Sequence, residues 1–173
     1  MTFSLGARAA ALGLWFLTGC SSMSVESDHD ATASFQGYQT YQWADNPSAA
    51  ASMIPPGSLN DVRIRRAVDD ELVGKGMGPS ISDPDLFVQY HVNLEDMVQV
   101  WDDRWVTPRG WQAGDVSVTN YTEGTLFIDL IDARQGNVIW RGWATGAVDQ
   151  NTSNIEERLR KVVQKILDRY PPG

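Results

Sequence analysis

Thr122-Glu123-Gly124-Thr125-Leu126-Phe127-Ile128-Asp129-Leu130-Ile131-Asp132 is followed by Ala133-Arg134-Gln135-Gly136-Asn137 and then by Val138-Ile139-Trp140-Arg141-Gly142-Trp143-Ala144. Two apolar runs rich in β-branched and aromatic residues are joined by a pentapeptide that favours a turn, so the stretch predicts a central β-hairpin. Trp140 is expected to be buried against a helical layer or its sheet neighbours.

Upstream, Leu86, Val88, Tyr90, Val92 and Leu94 alternate with Phe87, Gln89, His91 and Asn93, which predicts a strand with one apolar and one more polar face. Before it, Ile64, Ala67, Val68 and Leu72 recur at helical spacing; Asn60 or Asp61 is the expected N-cap, and Lys75 and Gly76 the stop. Ser34 to Trp43 alternates as a first strand, and Asn46 to Leu59, with three prolines and three consecutive alanines, reads as a loop. Strand, helix and strand in succession imply a right-handed crossover between parallel strands. Arg63, Arg65 and Arg66 read as a solvated helix face, because Gly74, Gly76 and Gly78 lie at the helix end and not at its start, where a phosphate would bind. Near the C-terminus, Ser153-Asn154-Ile155-Glu156 has the form of a capping box. Ile155, Leu159, Val162, Val163 and Ile166 form the buried stripe of a second helix that Pro171-Pro172 stops.

Glu123-Gly124-Thr125-Leu126, Asp129, Asp132-Ala133 and Val138-Ile139-Trp140-Arg141-Gly142 resemble the signature of the domain of unknown function 4136 family, small bacterial lipoproteins. Thr40-Tyr41-Gln42-Trp43, Lys75-Gly76-Met77 and Asp85-Leu86-Phe87-Val88 fit the same family's earlier blocks in order. The resemblance runs from about Phe35 to Tyr170 and implies a mixed sheet with helices on one face. It transfers no catalytic residue. The expected fold is α+β: a single domain with a mixed, largely antiparallel sheet and two main helices packed on one face.

The N-terminus locates the protein. Arg8 is followed by the apolar run Ala9 to Leu17 and then by Leu17-Thr18-Gly19-Cys20, which resembles a bacterial lipoprotein signal ending at the only cysteine of the chain. The run is well short of the roughly 20 apolar residues a spanning helix needs. The resemblance implies cleavage of residues 1–19 and acylation of Cys20. Ser21, in place of the Asp of inner-membrane lipoproteins, points to the outer membrane. Residues 20–33 are expected to be a flexible polar tether reaching roughly 40 Å, and residues 34–173 the domain. The mature chain would keep 154 residues, with 13 basic against 22 acidic side chains. This acidic balance disfavours nucleic acid and anionic headgroups. A lone cysteine forms no intramolecular disulfide, and no cofactor motif is present.

Glu95 to Val116 is the least regular stretch and holds Trp101, Trp105 and Trp111. These three form the candidate binding surface for protein or glycan; alternatively they fold back as a satellite core, or Val98 to Val106 is an extra hairpin with paired tryptophans. His29, between Asp28 and Asp30, lies in the tether and is not assigned to a metal. Three functional readings stand. The favoured one is a lipid-anchored, non-catalytic module binding an envelope protein or cell-wall component. The second is a structural lipoprotein acting by oligomerisation, and the third a hydrolase using His91, Glu123, Asp129 and Asp132.

Overall fold

The structure, a computed structural model, describes residues 23–44, 53–102, 105–107, 110–112, 116–148 and 153–171, and the side chains of 101–116 lie outside the description. Cys20 and the signal segment 1–19 also lie outside the described residues, as do residues 46–52 of the expected loop 46–59.

In chain order the elements are β1 (Ser24–His29), β2 (Thr40–Trp43), α1 (Leu59–Gly74), β3 (Gly78–Pro79), β4 (Leu86–Asp102), β5 (Trp105–Thr107), β6 (Gly110–Gln112), β7 (Val116–Asp132), β8 (Val138–Ala147) and α2 (Ile155–Leu167). Six strands form one sheet in the order β1-β8-β7-β4-β2-β3, and β5 pairs with β6. The β7–β8 hairpin is central as expected, and β2 runs parallel to β4 across the α1 crossover. The architecture is α+β, with a mixed sheet and two helices on one face.

The core forms where the alternating apolar residues of the strands meet the helical stripes. Leu86, Val88, Leu126, Ile128, Leu130 and Trp140 are buried together with Ile64, Val68 and Leu72 of α1 and Val163, Ile166 and Leu167 of α2. A register shift at Leu130/Ile131 lets both Ile139 and Trp140, adjacent in sequence, turn inward. Trp140 is completely buried. Gly142, two residues on, lies under its ring, and a Cβ there would also stand 2.6 Å from Ile166 Cγ2. Only glycine fits at that crossing.

Several expectations need correction. The tether is not free: β1 pairs antiparallel with β8 from Ser24↔Thr145 to His29↔Trp140, and the Asp30 amide donates to the Ile139 carbonyl at 2.9 Å. An exposed β8 edge is a stronger determinant here than the polar composition of the segment. The first strand shrinks to four residues, because Phe35–Gly37 forms a 3-10 turn. Helix α1 is capped by Ser58 and not by Asn60 or Asp61, the Asp61 amide donating to Ser58 Oγ at 3.3 Å. The N-cap of α2 is Asn154, in the left-handed region at φ 60°, so Ser153, expected to be the cap, stands one residue before it. Lys75 and Gly76 end α1 as expected, with Gly76 at φ 85°.

The stretch read as irregular is mostly strand. β4 and β7 pair continuously from Leu86↔Asp132 to Asp102↔Val116. β8 stops opposite Glu123. Beyond that point the β4–β7 pair continues as a two-stranded arm.

Candidate functional site

Alternation sends every second residue of the sheet to the face that the helices leave open. Register aligns these residues in rows across the strands. One row runs Gln89, Asp129, Arg141 and Asp28; the next runs His91, Phe127, Trp143 and Glu26. The polar row centres on an ion pair. Arg141 Nε and Nη2 donate to the two Asp129 carboxylate oxygens at 2.6 and 2.8 Å, and Gln89 Nε2 donates to Oδ2 at 3.0 Å. Asp129 is completely buried beneath these donors, whereas the Arg141 side chain is 43% exposed. The hydrogen bonds from Arg141 to Asp129 push the guanidinium further toward its charged form.

The neighbouring row is aromatic. His91 stacks on Phe127 with ring centroids 4.4 Å apart and planes 9° apart, and Phe127 stacks on Trp143 at 6.4 Å. Burial lowers the His91 pKa, with Arg141 adding to the effect and Asp129 opposing it. Beside these rows a groove of about 600 Å³ is lined by Asp28, His29, Asp30, Phe127, Arg141 and Trp143 among others. The surface thus combines half-buried aromatic faces with a fixed, half-exposed cation, an arrangement suited to holding another surface.

The proposed hydrolytic set does not converge. His91 and Asp129 share the open face, but Asp129 already has both oxygens engaged by Arg141 and Gln89. Asp132 occupies the opposite alternation and accepts from the Tyr38 hydroxyl and from the Arg134 and Gln135 amides, all at 2.8 Å, closing the hairpin turn. Glu123 lies six residues from Asp129, at the base of the arm. Among the described residues no three His, Cys, Asp or Glu side chains form a group able to hold a metal ion.

Trp101 lies near the distal end of β4, Trp105 in β5 and Trp111 in β6, facing Ser117, Gln112 and Val106 in the pairing register. Their side chains are outside the described residues. Sequence reading missed the open-face row of Phe127 and Trp143, although their alternation with Leu126, Ile128 and Gly142 carries the signal.

Three further carboxylates are fixing points of the fold, and Asp85 among them carries the family resemblance. Asp85 Oδ2 accepts from the Gln39 and Thr40 amides at 3.0 Å and from the Thr40 hydroxyl at 2.8 Å, joining the starts of β2 and β4. Asp69 accepts from the Tyr41 hydroxyl and Trp43 Nε1, both at 2.9 Å. Asp61 accepts from the Gly57 amide, the Tyr90 hydroxyl and Arg65 Nε at 2.6, 2.7 and 2.8 Å.

This framework defines an α+β domain with one covered and one open sheet face and a projecting arm. The chain belongs to the family described as Domain of unknown function (DUF4136), whose model matches residues 25–172. Among solved structures it is similar to a PDZ domain protein from Parabacteroides distasonis, with a TM-score of 0.56 and 14% identity, over 87% of this chain and 36% of that one. The chain thus spans about a third of that protein's length. It is also similar to a PelC dodecamer from Paraburkholderia phytofirmans, with a TM-score of 0.46 and 13% identity, over 84% of this chain and 94% of that one. A minor lipoprotein from Acinetobacter baumannii gives a TM-score of 0.38 and 12% identity, over 76% and 88% of the respective chains. At these identities the first likeness is one of fold. No protein of curated function matches the chain in sequence.

Proposed function

We propose that the protein is a lipoprotein anchored through Cys20 in the cell envelope, in the outer membrane facing the periplasm, and that it works without catalysis by binding an envelope protein. The observation that carries the binding reading is the open sheet face. It presents stacked His91, Phe127 and Trp143 beside the Arg141–Asp129 pair, while the helices cover only the opposite side. Burial of aromatic faces around a fixed charged group is how interfaces gain both affinity and orientation. The engagement of Asp129 by Arg141 and Gln89, and of Asp132 by the hairpin turn, supports a role without catalysis.

No helix among the described residues is long and apolar enough to cross a membrane. Two acyl chains on Cys20 would suffice for stable anchoring, at about 0.8 kcal/mol per buried methylene. Metabolic labelling with a fatty-acid probe should mark the wild type and not Cys20→Ala; label retained by the mutant refutes the anchor. For the surface, a photo-crosslinking amino acid at Trp143 should capture one discrete partner in intact envelopes. The same group at Ile81, at the far end of the sheet, should not. Equal capture at both positions would remove the open face as the binding surface.

A further inference from the structure

Because Ser24 to His29 is held by β8, only Ser21, Ser22 and Met23 separate Cys20 from the sheet. Three residues extend at most about 11 Å, against the roughly 40 Å of a free tether. Met23 lies beside Gly146, within 3.6 Å of where a Cβ on that glycine would sit. Gly146 pairs with Gly124, and Gly124 with Leu94. That row ends the body of the sheet, and the β4–β7 arm leaves from it. The arm runs from Leu94 to Asp102, about 26 Å at the usual rise per residue. Anchor and arm therefore leave the same end of the molecule, and the arm reaches about twice as far as the anchor's own linker.

The distal arm is apolar on the side that the helices cover in the body. Leu94, Val98 and Val100 continue the alternation of Leu86, Val88 and Tyr90 past the helices, interrupted once by Asp96, which accepts from the Thr122 hydroxyl at 3.1 Å, and Val118 stands opposite Val100. Val98, Val100 and Val118 are 65%, 60% and 58% exposed. Trp101, Trp105 and Trp111 all fall in the distal strands, and tryptophan is the residue type enriched at membrane–water boundaries.

We propose that this arm is a membrane-contact element, seated by Val98, Val100 and Val118 in the headgroup–acyl boundary of a zwitterionic bilayer beside the acylated Cys20. The proposal rests on the lipoprotein reading given above. With the acyl chains within about 11 Å of the arm's base, the bilayer surface lies inside the arm's reach. The open backbone edges of a two-stranded ribbon exclude it from the hydrocarbon interior, where unpaired amides cost several kcal/mol each, and confine it to the boundary. Glu95, Asp96 and Glu123 at the base select against anionic headgroups. They also disfavour a second copy, since carboxylates buried at a protein interface lose their water without gaining a cation.

Acylation consumes the only cysteine, so an introduced one is a unique labelling position. Full-length, acylated Val118→Cys, Val98→Cys and Ile81→Cys proteins would each carry an environment-sensitive fluorophore in phosphatidylcholine–phosphatidylethanolamine vesicles. Ile81 is 97% exposed and precedes the β4 start, away from the arm. The expected result is blue-shifted emission and loss of intensity to brominated lipid at positions 98 and 118, with neither change at 81. Labels at 98 and 118 that stay open to an aqueous quencher, with acylation of Cys20 verified by mass, overturn the membrane contact alone. Protection from that quencher without loss to brominated lipid, accompanied by a doubled mass in detergent, assigns the arm to a second copy and likewise overturns it. An unmodified Cys20 removes the lipoprotein reading and the proposal together.

Discussion

Gly142 and Trp140 show how closely the core is fitted. A methyl group at Gly142 would press on the Trp140 ring and on Ile166, so Gly142→Ala should destabilise the domain by about 1–3 kcal/mol through overpacking. Trp140→Ala leaves a cavity under α2 instead and should cost about 3–5 kcal/mol. Denaturant titration of both variants measures this; a loss below about 1 kcal/mol for Trp140→Ala contradicts its complete burial. The burial of Trp140 could be read from the hairpin's apolar run. The need for glycine at 142 could not, because it depends on an α2 side chain 24 positions away.

Between strands, the Arg141–Asp129 pair has an asymmetric energetic role. Arg141→Ala strands a carboxylate that has no exposure and retains only Gln89, so it should cost about 2–3 kcal/mol, toward the lower end of such losses because water reaches the guanidinium. Replacing both Asp129 and Arg141 by leucine should cost less than Arg141→Ala; a thermal melt series decides, and additive losses would show that the pair is not coupled. β1 makes a second test. Removing residues 24–29 bares the full β8 edge, so the shortened protein should aggregate or melt several degrees lower, whereas removal of a true tether leaves melting unchanged. Ser-Val-Glu-Ser-Asp-His gives no strand signal because its stability comes from main-chain bonding to β8, which any sequence can supply. The helix caps shifted for a related reason, since several nearby Ser, Asn and Asp residues are chemically competent and the turn geometry selects among them.

Across the whole molecule, carboxylates tie segments that are distant in the chain. The Gln39 amide and the Thr40 hydroxyl and amide hold the Asp85 pKa below its usual value, and the Gln135 amide, Tyr38 hydroxyl and Arg134 amide do the same for Asp132. Burial would raise Asp61, but hydrogen bonds from Tyr90, the Gly57 amide and Arg65 outweigh it and leave the pKa lowered. A depressed native pKa gives stability that is fully present above the unfolded value of about 4 and is lost as pH falls through the native values. Melting temperature should therefore be insensitive to these groups near neutrality and fall on acidification below about pH 4. Asp85→Asn should start less stable and show a shallower acid limb; an unchanged limb would mean that Asp85 is not a linkage site.

Local pattern was enough for the elements whose own side chains pay for burial: the β7–β8 hairpin, the apolar stripes of α1 and α2, the parallel crossover, and the α+β class. Composition and the stretch ending at Cys20 gave the envelope expectation without reference to any fold. Register, in contrast, is a property of pairs of strands. It placed Asp129 under Arg141, set His91, Phe127 and Trp143 in one row, separated Asp129 from Asp132, and turned the Glu95 to Val116 stretch largely into an arm. The same pairing fastened Ser24 to His29 to β8 and so shortened the linker from Cys20 to three residues. Hydrophobic periodicity records which face of a strand is buried; which neighbour satisfies its backbone is settled only when the chain closes into a sheet.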